Sequence, residues 1–147
     1  MLTLDIDNTT SNIFVPTQSD FEAWAALALH DYPNAELSIR IVDEAESAQL
    51  NGDYRGKPKP TNVLSFPADI PAVVQSPLLG DLVICAAVVA QEAIAQHKPL
   101  LAHWAHMTIH GCLHLLGYDH IKLRYAKIME QLEVQILKKL GFEDPYL

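Results

Sequence analysis

The sequence has few cysteines and no long hydrophobic segment. Cys85 and Cys112 lie far apart without a Cys-x-x-Cys spacing, which predicts buried, reduced thiols rather than a disulfide framework. The longest apolar run, residues 82–90, has less than half of the ~20 residues that a transmembrane helix needs, and the N-terminus lacks the basic and apolar regions of a signal peptide. These features predict a cytoplasmic protein with no membrane partner.

Basic residues are also scarce, since 10 Lys and Arg stand against 18 Asp and Glu, a formal net charge of −8. This charge argues against broad electrostatic binding to nucleic acid, and no DNA partner is expected, because phosphate neutralisation requires clustered cations. One short segment supplies such a cluster, with Arg55, Lys57 and Lys59 close together and no acid between them. Any polyanion partner must therefore bind here, although charge alone favours a solvated loop with scattered charge at this segment.

Hydrophobic periodicity predicts four strands early in the chain and three longer helices late. In 147 residues, this order favours α+β with one mixed sheet, in a single domain that spans residues 1–147. A capping box at Asp43 and Glu46 predicts a short helix to about Asn51, followed by a Pro- and Gly-rich loop over residues 52–60. The predicted strands are 2–6, 36–42, 63–66 and 79–85, and the predicted helices are 20–30, 43–51, 86–97, 99–116 and 123–140.

Three histidines in the C-terminal half have the spacing of a metal site. His110 and His114 are four residues apart in a predicted helix, so both imidazoles leave the same face and can reach one ion. Gly117 can adopt the left-handed conformation that ends a helix, and the chain then returns so that His120 becomes a third ligand. Three nitrogen ligands leave a coordination position for water, which is typical of a catalytic zinc site. The alternative is that the three histidines cap, pack or lie on the surface.

The spacing of these histidines and the glycine equals that of the metzincin motif His-Glu-x-x-His-x-x-Gly-x-x-His. Gly111 stands where zincins have their catalytic glutamate, so a peptidase that depends on this glutamate is disfavoured. For His103 and His106, a structural role is favoured over support of the metal ligands. Asp119 either orients an imidazole or caps the turn, and Asp81 is favoured as a turn or strand-start residue over a link to the loop that holds Arg55.

The segment His110-Gly-Cys-Leu-His-Leu-Leu-Gly-Tyr-Asp-His120 resembles the signature of the YbeY family of bacterial endoribonucleases. The resemblance extends, in the same order, to Tyr54-Arg-Gly-Lys57, to residues 60–67 (Pro-Thr-Asn-Val-Leu-Ser-Phe-Pro), to residues 79–84 (Leu-Gly-Asp-Leu-Val-Ile) and to Ala105-His106. It implies an α+β fold with a four-stranded sheet and a cytoplasmic, zinc-dependent, single-strand-specific endoribonuclease. The implied role is maturation of the 16S rRNA 3′ end and ribosome quality control, with the small ribosomal subunit and ribosome-associated proteins as partners.

The resemblance also implies that Arg55 lies in the cleft with the metal. The family often has aspartate at the position of Asn62, so no catalytic carboxylate is assigned there. Many members carry several acids after the third histidine. This chain has Ile-Lys-Leu-Arg-Tyr-Ala-Lys at 121–127, so any function of such acids is not assigned to it.

We predict three overlapping groups of site residues. They are the Zn2+ ligands His110, His114 and His120, the catalytic residues Arg55 and His114, and the RNA-binding residues Arg55, Lys57 and Lys59. A guanidinium can hold two phosphate oxygens at once, and zinc can stabilise the charge that develops on the phosphate. The nucleophile, metal-bound water or the neighbouring 2′-hydroxyl, stays open. The alternatives are another zinc-dependent hydrolase, including a peptidase with a base outside this helix, and a non-catalytic ribosome-associated module that zinc stiffens.

Overall fold

Four strands and five helices form within the residues that the computed structural model describes, 1–71, 76–118 and 123–147. In chain order they are β1 (Thr3–Asn8), α1 (Gln18–Ala28), β2 (Glu36–Val42), α2 (Glu44–Arg55), β3 (Val63–Pro67), β4 (Leu78–Cys85), α3 (Ala86–Ala95), α4 (Leu100–Leu115) and α5 (Leu123–Lys139). The predicted α+β class is confirmed, and each predicted strand and helix overlaps one in the structure.

The strands make one mixed sheet in the order β1-β2-β4-β3. Strands β1, β2 and β4 run parallel, whereas β3 is antiparallel to β4. Gly80 has a φ of +142°, and a Cβ at this position would lie 2.2 Å from the backbone oxygen of Phe66. Only glycine therefore allows the start of β4 to approach the end of β3 this closely.

Helix α4 lies at the centre of the fold, in contact with β3, β4 and helices α1, α3 and α5. Its buried residues Trp104, Ile109 and Cys112 belong to the same apolar cluster as Leu82 and Ile84 of β4. A smaller cluster, formed by Val42, Leu64, Val83 and Cys85, includes the alternate side chains of β4 and so covers the other face of the sheet. The residues of α4 that do not face this core are available to form a site.

Gly111 explains how closely α4 packs on the sheet. A Cβ at this position would lie 2.9 Å from Leu82 Cδ2 and 3.2 Å from Val63 Cγ2. A longer side chain would have to displace the Leu82 and Val63 side chains or shift the helix. The position at which zincins carry their glutamate is therefore a packing contact in this protein.

Helix α2 is longer than its sequence predicts, and Arg55 is its last residue rather than part of a loop. Gly56, with a φ of +73°, ends the helix. The predicted capping box forms only in part. Asp43 accepts a hydrogen bond from the backbone N–H of Glu46, but the Glu46 carboxylate binds Arg40, whose Nε donates to it over 2.7 Å. The Glu46 side chain therefore binds Arg40 of β2 and does not make the return hydrogen bond of a capping box.

Cys85 and Cys112 are buried and not bonded to each other, as predicted. Burial raises the pKa of both thiols, that of Cys112 to about 12. Both side chains therefore act as small apolar residues of the core. Across the described residues, no helix combines the length and apolarity that spanning a membrane requires.

Candidate metal centre

A cleft of about 600 Å³ opens where the end of α2, strand β3 and the C-terminal half of α4 meet. The structure brings together three of the predicted site residues here, since Arg55, His110 and His114 all line the cleft. The other described lining residues are Tyr54, Asn62, Val63, Leu64, Ser65, Pro67, Gly117 and Tyr118. Lys57 and Lys59 are exposed on the segment after α2 and do not occur among these lining residues.

The imidazoles of His110 and His114 meet at the cleft through their Nε2 atoms, which lie 3.1 Å apart. Two nitrogen ligands at 2.0–2.1 Å from one tetrahedral zinc lie about 3.3 Å apart, so this pair fits two ligands of the same ion. Gly117, with a φ of +100°, ends α4 beyond His114 as predicted. His120 and Asp119 lie outside the described residues.

The other ring nitrogen of His110 contacts a residue that the sequence analysis misses. His110 Nδ1 is in hydrogen-bond contact with Oε1 of Glu133, on α5. Glu133 is completely buried, and its Oε2 contacts the Tyr146 hydroxyl and lies 3.2 Å from His106 Nε2. A sequence signal for this residue exists, because Glu133 falls at the helical spacing of the buried Met129 and Leu137. A carboxylate on the core face of a helix indicates a specific partner.

The network around Glu133 keeps the carboxylate ionised although it is buried. Burial by itself raises the pKa of Glu133, but hydrogen bonds with His106 and His110 outweigh it and lower the pKa to about 2. Burial also lowers the pKa of His106, more than the contact with Glu133 raises it. At neutral pH the network thus contains a carboxylate beside a neutral His106 ring.

His106, His110 and Glu133 each offer one ligand atom, and these atoms lie within 4.8 Å of one another. This group can hold a metal ion and shares His110 with the predicted pair. The sequence favours a structural role for His106. In the structure, His106 lies next to Glu133, which in turn contacts the candidate ligand His110. The group is one candidate position for an ion, and the pair at the cleft is the other.

At the opposite end of α4, His103 is buried and its Nε2 lies 2.9 Å from Glu92 Oε1. Asn62 Nδ2 donates to both oxygens of the same carboxylate, over 3.1 and 3.2 Å. His103 therefore has the contacts of a structural residue that ties α3 to α4. Asp81 is a residue of β4 and accepts a hydrogen bond from Ser38 of the neighbouring strand.

Ser65 connects the cleft wall to α4, because its Oγ donates to the backbone oxygen of Gly111 over 3.3 Å. This bond ties β3 to the helical turn that carries His110. The wall of the cleft is therefore directly connected to the helix that carries the candidate ligands.

The fold and the cleft define an α+β protein with a histidine-based candidate metal centre on its central helix. The sequence pattern of the family described as Endoribonuclease YbeY matches residues 5–141, and the chain belongs to this family. The resemblance found in the sequence is thereby confirmed. Membership supports an endoribonuclease, hence a hydrolase with an RNA substrate, that acts in rRNA maturation.

The fold is also similar to the solution structure of a protein from Thermotoga maritima, with a TM-score of 0.60. The two chains are 22% identical, and the match covers 95% of this chain and 88% of that chain. At this identity the similarity establishes the fold alone.

Proposed function

We propose that residues 1–147 form one zinc-dependent endoribonuclease domain that cleaves single-stranded RNA, with Zn2+ held by His110, His114 and His120. One observation carries this proposal. The Nε2 atoms of His110 and His114 face each other over 3.1 Å in a cleft that Arg55 also lines. A pair of imidazole nitrogens suits zinc, and a guanidinium beside it suits a phosphate.

Zinc held by His110, His114 and His120 would supply Lewis-acid chemistry, that is, polarisation of a phosphoryl oxygen or a lower pKa of its water. Arg55, at the end of α2, holds two oxygens of the scissile phosphate and stabilises the charge that develops there. His114 is assigned as catalytic because it lines the cleft and, as a metal ligand, would hold the ion next to the substrate. Lys57 and Lys59 contact the flanking RNA backbone in a weaker role.

The packing of α4 favours a nuclease over a peptidase. Position 111 faces Leu82 of β4 and Val63 of β3, so a glutamate at this position would point into the sheet packing and would have to displace these side chains. Cleavage of RNA does not require that base, because charge stabilisation by a cation and a guanidinium is enough to assist attack on the phosphate. We leave the nucleophile as either water or the 2′-hydroxyl of the RNA.

Two exposed tyrosines favour single-stranded RNA as the substrate. Tyr54 is 54% exposed and lies with its ring centroid 4.4 Å from that of Phe66, while Tyr118 is 37% exposed. Both tyrosines line the cleft. Unpaired bases stack on such aromatic faces, whereas the bases of a duplex are already stacked on one another.

The proposed biological substrate is the 3′ end of 16S rRNA, with a further role in ribosome quality control. The proposed partners are the small ribosomal subunit and ribosome-associated proteins, in the cytoplasm. A net charge of −8 gives weak or repulsive long-range interaction with RNA. Partners that present the RNA end would compensate for this weakness.

A cleavage assay on purified protein tests the proposal. We expect discrete cuts in a single-stranded RNA, fewer cuts in the same sequence as a duplex, loss of cleavage with a chelator and recovery with Zn2+. His114→Ala should abolish cleavage. The matched control is His97→Asn, at an exposed histidine with a φ of +55°, a backbone conformation that asparagine tolerates.

Two outcomes would contradict the proposal. RNA binding without turnover would favour the ribosome-associated module, and cleavage that survives both the chelator and His114→Ala would remove the metal from the reaction. In cells, replacement by His114→Ala should cause 16S rRNA with unprocessed 3′ ends to accumulate. Normal 3′ ends in those cells would argue against the proposed rRNA substrate.

A further inference from the structure

We propose that Glu133 is a positioning residue whose buried carboxylate orients the His110 ring toward the metal, and that Tyr146 and His106 hold this carboxylate in place. The inference rests on the proposed function, since it assigns a role around the same ligand pair. It concerns a side chain that lies outside the cleft and acts through His110 alone.

The contacts of Glu133 account for both of its oxygens. Oε1 is in contact with His110 Nδ1, and Oε2 is in contact with the Tyr146 hydroxyl and 3.2 Å from His106 Nε2. Burial of a carboxylate is costly unless hydrogen bonds replace the lost water. With three polar neighbours, Glu133 meets that condition at a completely buried position.

The protons in this network follow from the chemistry of the groups. An ionised carboxylate only accepts hydrogen bonds, so His110 Nδ1–H and the Tyr146 O–H donate to it. A histidine must be neutral to bind a metal, and a neutral imidazole carries one N–H. When His110 donates this N–H from Nδ1 to Glu133, its Nε2 presents a lone pair toward His114. This is the tautomer that a metal ligand needs, and carboxylates commonly select it in zinc sites.

His106 completes the network as a further donor. Its Nε2 lies 3.2 Å from both Glu133 Oε2 and the Tyr146 oxygen, so one N–H can be shared between two acceptors. Its Nδ1 is buried, and no hydrogen-bond partner for it occurs among the described residues. The proton on Nε2 thus leaves Nδ1 as an acceptor, which avoids a buried N–H without a partner.

A metal ion inside the group of His106, His110 and Glu133 is the competing arrangement. His106 and Glu133 are buried and do not occur among the described residues that line the cleft. A catalytic ion needs an open coordination position for substrate or water. An ion held by His106, His110 and Glu133 would be buried away from the cleft. An ion between His110 and His114 would face the cleft that Arg55 lines.

Tyr146 makes the C-terminal segment part of this support. Its ring packs edge-on against His106, with centroids 5.4 Å apart, and its backbone N–H donates to Asp144 Oδ1 over 2.8 Å. The hydroxyl is therefore fixed where it meets Glu133. Tyr146→Phe removes this single donor and keeps the ring contact.

The test combines zinc titration of the metal-free protein with nitrogen NMR of the His110 ring. Glu133→Gln keeps the shape of the side chain but removes its charge. We expect it to weaken zinc binding about 10- to 100-fold, and to change the His110 ring from the Nδ1-protonated form to a mixture of tautomers. Tyr146→Phe should shift both quantities in the same direction by a smaller amount. Glu92→Gln, the matched control at a carboxylate that contacts His103, should leave zinc affinity and the His110 tautomer unchanged.

The outcomes separate this inference from the proposed function. If the parent binds zinc and His114→Ala loses it, unchanged affinity and tautomer in Glu133→Gln overturn the positioning role alone. If His106→Gln loses zinc and His114→Ala keeps it, the ion occupies the buried group and Glu133 is a ligand. A parent that binds no zinc contradicts the proposed function itself. If Glu133→Gln does not fold, Tyr146→Phe decides, because an unchanged tautomer and affinity there overturn the inference.

Discussion

The two ends of helix α4 carry the same kind of contact, a histidine against a carboxylate from another helix. At one end His103 meets Glu92 of α3, and at the other end His110 meets Glu133 of α5. Both contacts use one ring nitrogen. The two ends differ in what the second ring nitrogen meets.

His103 Nδ1 is buried, and among the described residues it has no hydrogen-bond partner. His110 Nε2 instead faces His114 Nε2 in the cleft. A carboxylate that fixes a histidine therefore contributes only to packing where the second nitrogen is enclosed. The same contact prepares a ligand where the second nitrogen reaches an open space.

The largest expected effect compares the two histidines directly. His110→Gln should weaken zinc binding by more than the 10- to 100-fold typical of residues that only support a ligand, because it removes a ligand atom. His103→Gln should leave zinc affinity within about threefold of the parent, because His103 contacts Glu92 and neither binds nor supports a ligand. Zinc titration followed by metal analysis measures both. Equal losses of zinc affinity in the two variants would contradict the assignment of different roles to the two ends of α4, and the ion would then bind elsewhere.

The next effect concerns the cleft at the His110 end. Arg55→Ala should lower the rate of RNA cleavage about 10²- to 10³-fold, since it removes a donor that stabilises developing charge. Lys57→Ala, which removes the same charge two residues further on, should cost only a fewfold loss. Single-turnover cleavage with intact metal content is the measurement. Arg55→Ala activity close to that of the parent would leave Arg55 as a surface charge.

A smaller effect tests the structural end. Burial by itself raises the pKa of Glu92, but hydrogen bonds with His103 and Asn62 outweigh it and lower the pKa. A carboxyl whose pKa is lowered on folding stabilises the protein above its ordinary pKa of about 4.3 and loses this effect as the pH falls. Glu92→Gln should therefore lower the free energy of unfolding by about 1 kcal/mol at pH 7.

Urea unfolding at pH 7 and at about pH 3.5 measures this difference. The gap between parent and Glu92→Gln should shrink at the lower pH, because the unfolded parent then binds a proton at Glu92 and the folded state loses part of this advantage. A gap of the same size at both pH values would show that the ionised Glu92 carboxylate does not stabilise this end of α4.

The smallest effect concerns the salt dependence of RNA binding at the cleft end. Contacts from Arg55, Lys57 and Lys59 neutralise about three phosphates, and each contributes about −0.7 to the logarithmic slope on a single strand. The slope should be roughly −2 when His114→Ala binds a single-stranded oligonucleotide across a salt series. A slope several times steeper would indicate a longer basic track than these three residues provide.

Local patterns in the sequence predict much of this molecule. The bounds of β2 are predicted without error, and the four-residue spacing of His110 and His114 places them on one face of α4. The prediction is wrong at Arg55, because the helix tolerates Gly52 and runs on to the next glycine. There, Pro58 packs against Gly52, and a Cβ at Gly52 would lie 3.3 Å from Pro58 Cα. Gly52 therefore leaves room for Pro58, and α2 continues until Gly56 ends it.

The sequence by itself determined the fold class, the family and the candidate ligand pair, because these depend on periodicity and on spacings within single elements. Only the tertiary structure decided which residue supports the pair. Glu133 lies 23 residues from His110, and Tyr146 lies 13 residues further along the chain. No periodic pattern connects such positions. They meet because α5 packs across α4, and the buried carboxylate of Glu133 is stable there because His110, Tyr146 and His106 lie close enough to donate to it.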